Sequence, residues 1–64
     1  MNERMRILIV DDLARARQSL KALVSTWTGA GALQEAASGR EAIELALRWQ
    51  PQVILMDVCM GEMD

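Results

Sequence analysis

The stretch Ile7-Leu8-Ile9-Val10-Asp11-Asp12 sets four branched apolar residues directly before two adjacent carboxylates. Apolar character that is continuous rather than alternating marks a parallel strand covered on both faces. The same strand reaches back to Met5, broken only by Arg6. Two like charges side by side each resist ionisation unless something positive joins them. The question is what that positive partner is.

A helix is expected directly after the acids. Leu13, Ala16, Leu20, Leu23, Val24 and Trp27 recur at helical spacing and form its apolar stripe. Arg15, Arg17, Gln18 and Lys21 fall between them, on the side facing water. Thr28-Gly29-Ala30-Gly31 ends the helix, with Gly29 or Gly31 free to take positive φ. Ala32–Ala37 reads as a second strand. Ser38, with Glu41 three residues on, is a capping box that opens a second helix. Ala42, Ile43, Ala46 and Leu47, with Trp49, form its buried stripe. Pro51 stops it, because proline offers no amide and disfavours helix at Gln50. Val53-Ile54-Leu55-Met56 is a third apolar run, and it ends at Asp57.

Strand, helix, strand, helix, strand implies parallel pairing with right-handed crossovers. If strands one and three are neighbours, the order is 2-1-3, with one helix on each face. Asp11, Asp12 and Asp57 then share one edge of the sheet, at the crevice where open α/β sheets bind ligands. Three converging anions need a cation, and hard oxygen ligands select magnesium or calcium over zinc or copper. A carboxylate beside such an ion can also attack phosphorus and become an aspartyl phosphate. The plainer alternative is that an aspartate at a strand end is a turn residue or a cap, and Asp12 could cap the first helix.

Composition narrows the classes. With 64 residues there is room for one small domain, and 52% hydrophobic content is too high for disorder. A net charge of −2 gives no general pull on nucleic acid or an anionic membrane. The chain has no histidine, which removes Ser–His and Cys–His nucleophile pairs and the usual zinc sites. The single cysteine, Cys59, cannot form an internal disulfide, and this fits a reducing cytoplasm. Met1–Arg6 is too polar for a signal peptide, and no stretch has the roughly 20 apolar residues of a membrane span.

From about Arg6 to Asp64 the sequence resembles the receiver domain of bacterial two-component response regulators. RILIVDD, GREAIELALRWQPQVILMD and DVCMGEMD carry the resemblance. It implies a flavodoxin-like fold, of which residues 1–64 are the first three strands and two helices out of five each. It implies that Asp57 is the phosphoacceptor, modified by a sensor histidine kinase. Asp12 matches the acid that ligates magnesium directly, and Asp11 the acid that helps hold it. Cys59 stands where the family supplies a backbone carbonyl to the metal. ARQSLKALV (Ala16–Val24) is similar to regulators that carry a DNA-binding output domain.

This sequence also departs from the family. Gly61 stands where proline is expected and Glu62 where glycine is; Gly61 should loosen that loop. The family's hydroxyl residue after the fourth strand and its lysine after the fifth have no counterpart here, and Lys21 is no replacement. The switch is therefore expected to be lost even if the metal site survives. An exposed third strand would pair with another copy or with the missing half of the domain. Three rivals remain. A magnesium phosphohydrolase would want a second acid two residues after the nucleophile, where Cys59 stands. Dinucleotide binding would draw on GAGALQ (Gly29–Gln34), but that stretch follows a helix rather than opening one. The last is an inert half-domain that self-associates through the third strand.

Overall fold

Ile7, Leu8, Ile9 and Val10 are fully buried. In the computed structural model, which describes residues 4–56, they form most of strand β1 (Met5–Val10). The chain continues through helix α1 (Ala14–Val24), strand β2 (Ala30–Ala36), helix α2 (Gly39–Trp49) and strand β3 (Val53–Met56). Both neighbours of β1 run parallel to it, and the sheet order is β2-β1-β3, as expected. Together these elements make a fragment of a flavodoxin-like fold, with two helices beside three parallel strands.

The period of the strand divides the core in two. Leu8 and Val10 pack with Ala36, Ala42, Leu45 and half-buried Trp49, against α2. Ile7 and Ile9 pack with Val24, Leu20, Leu33, Val53 and Leu55, on the α1 side. Each fully buried aliphatic side chain contributes about 1.5–3 kcal/mol.

The helix stripes differ from the sequence expectation. On α2, Leu45 is 8% exposed and Leu47 75% exposed, and Ile43 is also exposed. The buried line is Ala42, Leu45, Ala46 and Trp49, spaced three, four and seven residues from its start. Apolar residues lie around most of this helix, so its sequence left the phase open and the sheet selected one. On α1, Ala16, Leu20 and Val24 face the sheet while Leu23 is exposed, as are Leu13 before the helix and Trp27 after it.

The capping box forms in a modified version. Glu41 N donates to Ser38 Oγ at 3.1 Å, and Glu41 Oε1 accepts from Ala37 N at 2.8 Å rather than from Ser38 N. The end of α2 is left-handed, with Gln50 at φ 55°. Gln50 N bonds Ala46 O, and the Arg6 guanidinium donates twice to Gln50 O, at 3.1 and 2.9 Å. Arg6 thus holds the strained turn that proline follows.

No glycine described has positive φ, contrary to expectation. The end of α1 is closed by hydroxyls instead: Ser25 Oγ donates to Ala22 O and Thr26 Oγ1 to Leu23 O, both at 2.7 Å. Gly31 matters for a different reason. The β1–β2 register slips between Met5 and Arg6, and Gly31 is the extra residue. A Cβ there would collide with Arg4 and approach Met5 O at 3.2 Å. The strand accordingly starts at Ala30 rather than Ala32 and ends at Ala36 rather than Ala37.

Two leucines on one helix test this packing. Leu45→Ala is expected to cost about 2–5 kcal/mol. Leu47→Ala should change stability by no more than about 0.5 kcal/mol. Urea unfolding followed by circular dichroism measures both, and equal losses would contradict the assigned helix phase.

Candidate functional site

The site begins where β1 runs out of apolar residues. Asp11 N donates to Ala36 O at 3.1 Å, which carries the β1–β2 ladder one residue beyond the strand. Asp11 is therefore held against the sheet and is only 3% exposed. Its Oδ1 accepts from Leu13 N at 3.0 Å, closing an Asx turn into α1. The residue at the N-cap of α1 is Leu13, which has no capping side chain. Asp12 is exposed and takes no capping role, so the turn-forming acid is Asp11. The positive end of α1 sits beside this pair and favours its charge.

Two basic residues expected to face water turn back to the sheet. Arg17 Nη1 donates to the Asp11 carbonyl at 2.8 Å, and Arg17 Nε to Glu35 Oε1 at 2.9 Å. Lys21 Nζ donates to Glu35 Oε2 at 2.7 Å. Arg17 and Lys21 are four residues apart, which places both over Glu35 on β2. Hydrogen bonds from Lys21 first, and from Arg17 next, hold the Glu35 carboxyl below the ordinary glutamate range. Sequence reasoning missed Glu35 and Arg17. The sequence shows only that β2 holds one acid and that Arg17 and Lys21 stand four residues apart on α1; nothing in it pairs them.

Beyond Asp11 an open cleft of about 740 Å³ runs between α1 and β3. Ser19 and Leu20 line one side of it, and Leu55 and Met56 the other. It occupies the β1/β3 switch point, where the connection order reverses. Val10 is paired with Met56, so the residues before Asp11 and before Asp57 stand opposite each other.

Asp57 and Cys59 lie outside the described residues, as do Gly61 and Glu62. Among the described residues no three acidic, cysteine or histidine side chains gather to hold a metal ion. The donors described at the site, the Asp11 and Asp12 carboxylates, are hard oxygens, a kind that suits magnesium. GAGALQ runs from the end of the α1 turn into β2, away from any helix start, which removes the dinucleotide reading. No described helix is long and apolar enough to cross a membrane.

A parallel α/β sheet with a buried acid at its switch point defines a class, and comparison with known proteins narrows it. The family model for the response regulator receiver domain matches residues 7–64. The chain belongs to that family. It is 42% identical over 59 residues to the chemotaxis protein CheY of Thermotoga maritima, covering 92% of this chain and 48% of that protein. It is 41% identical over 61 residues to a protein-glutamate methylesterase/protein-glutamine glutaminase of Alkalilimnicola ehrlichii, covering 95% of this chain and 16% of that one. The response regulator protein VraR of Staphylococcus aureus is 38% identical over 60 residues, covering 94% of this chain and 29% of its own length. The chain thus spans less than half the length of these relatives.

The Glu35 cluster has a pH signature. Its carboxyl is lowered on folding, so its contribution is full above the unfolded glutamate value and is lost as pH falls through the folded one. With the side chain 35% exposed, solvent screens the pair. Glu35→Gln should cost about 0.2–1 kcal/mol at neutral pH, less in high salt and nothing in strong acid. Urea midpoints of parent and variant across a pH series measure this.

Proposed function

We propose that this chain is the phosphoacceptor part of a receiver domain, phosphorylated on Asp57 by a sensor histidine kinase in a magnesium-dependent reaction. One observation carries the reading. A nearly buried acid ends the central strand of a 2-1-3 sheet, and the strand leading to Asp57 is paired in register beside it. Residues 1–64 correspond in this reading to the first three strands and two helices of the domain.

Asp11 and Asp12 would hold the ion through carboxylate oxygens, with Asp57 and the Cys59 carbonyl completing the set. Magnesium, when bound, neutralises charge on the transferred group. In the transfer the P–N bond of a phosphohistidine breaks and an Asp57 oxygen bonds to phosphorus. The imidazole leaves with the electron pair. The chain accepts the group and the kinase supplies it, so the chain is not the enzyme of the pair. The methylesterase relative bears on the matched part alone, since the chain spans 16% of it. The signalling role places the protein in the cytoplasm. The similarity at Ala16–Val24 adds a DNA-binding output domain and hence transcription regulation.

A second observation favours association. Among the described residues β3 pairs only with β1, and Ile54 and Met56 are exposed. An open apolar edge recruits another strand. Its partner would be a second copy or the rest of a receiver domain.

Two measurements test these readings. Incubation with a small phosphodonor and magnesium should add one phosphoryl group by intact mass, and Asp57→Asn should take none. Equal labelling of the variant would remove Asp57 from its role. Sedimentation equilibrium should show mass rising with concentration, and Ile54→Lys should suppress the rise. A folded monomer at every concentration would refute pairing between copies.

A further inference from the structure

Arg17 is only 18% exposed, and its guanidinium spans two structures that share no covalent link nearby. One nitrogen reaches the Asp11 carbonyl and another reaches Glu35 on β2. We propose that Arg17, braced by Glu35, is a positioning residue that fixes the Asp11–Asp12 peptide and so the way both carboxylates meet a divalent cation.

Three polar atoms of Asp11 are each tied down. Its amide is tied to Ala36 O, its Oδ1 to Leu13 N and its carbonyl to Arg17. The first tie belongs to the sheet ladder and the second to the turn into α1. Only the third comes from a side chain, that of Arg17 six residues on. It acts on the peptide that joins the two acids, one step past the last ladder bond. Asp12 is exposed and has no hydrogen-bond partner among the described residues, so its direction depends on that peptide plane. A guanidinium suits the task because its planar fork presents donors at fixed angles. Glu35 takes the Nε side of the fork and leaves Nη1 aimed at the carbonyl. Lys21 completes the charge of Glu35 without touching Asp11.

That last point separates positioning from simple bracing. Loss of either cation weakens the Glu35 cluster, but only loss of Arg17 frees the carbonyl. The cation part of the proposal rests on the metal reading above; the orientation part does not. The test uses the full chain as parent, Arg17→Gln, Arg17→Lys and Lys21→Gln, each confirmed folded by circular dichroism. Nuclear magnetic resonance of the metal-free proteins reads the Asp11 carbonyl carbon and the Asp12 amide. Magnesium is then titrated into the same samples.

Both Arg17 variants should move those two resonances while Lys21→Gln leaves them in place. Magnesium affinity should fall about tenfold in Arg17→Gln, as for other residues that orient ligands from behind. Arg17→Lys retains a charge for Glu35 without the fork, and covers the case in which Arg17→Gln does not fold. Unmoved resonances, or an equal shift in Lys21→Gln, overturn the proposal. So does a parent that binds magnesium with an affinity the Arg17 variants share, and the metal reading then survives. A parent that binds no magnesium, with the shift still confined to the Arg17 variants, removes the metal reading and upholds the positioning role.

Discussion

The structure depends on one strand being enclosed from four directions. β1 gives its backbone to β2 on one edge and β3 on the other, and its side chains to α1 on one face and α2 on the other. A chain of 64 residues buries only about 60% of its unfolded surface, so little else is available to stabilise it. Four consecutive aliphatic residues without exposure account for the centre of both cores. The site inherits this rigidity. Asp11 is buried because the ladder continues through its amide.

The adjacent carboxylates are reconciled in stages. Burial and exposure separate them: Asp11 is enclosed and tied by its Oδ1, while Asp12 reaches solvent. The start of α1 offers partial positive charge. Arg17 brings a full positive charge to the carbonyl between the two acids, and Glu35 holds Arg17 there. A divalent ion, in the proposed function, finishes what these groups begin. The cluster on β2 and the acids on β1 are therefore one electrostatic arrangement, coupled through a single side chain.

Much of this was legible in the residues. The unbroken run Ile7–Val10 marked a central strand, Ser38 and Glu41 marked a helix start, and Val53–Met56 marked the third strand. The resemblance to receiver domains, carried by the paired acids and the strand before Asp57, agrees with the family the chain belongs to. The points where structure and sequence expectation differ have a common cause. Helix phase on α2 was ambiguous because Ile43, Leu45 and Leu47 are all apolar, and only the sheet distinguishes them. The sequence expects positive φ at Gly29 or Gly31, whereas neither has it and Gly31 lets β2 pass close to Arg4 and Met5. The pattern puts Arg17 and Lys21 in water, because a helix whose only charges are cations does not reveal an acid that arrives from another strand.

The sequence by itself determined the element order, the parallel pairing and the placement of acids after two apolar strands. Those follow from periodicity and from local hydrogen-bonding chemistry, which act over a few residues. The tertiary structure alone decided which helix face is inside, where the β1–β2 register slips, and that Arg17 ties Asp11 to Glu35 across 24 positions of sequence. Those depend on distances between segments that meet only after the chain has folded, and no local pattern encodes them.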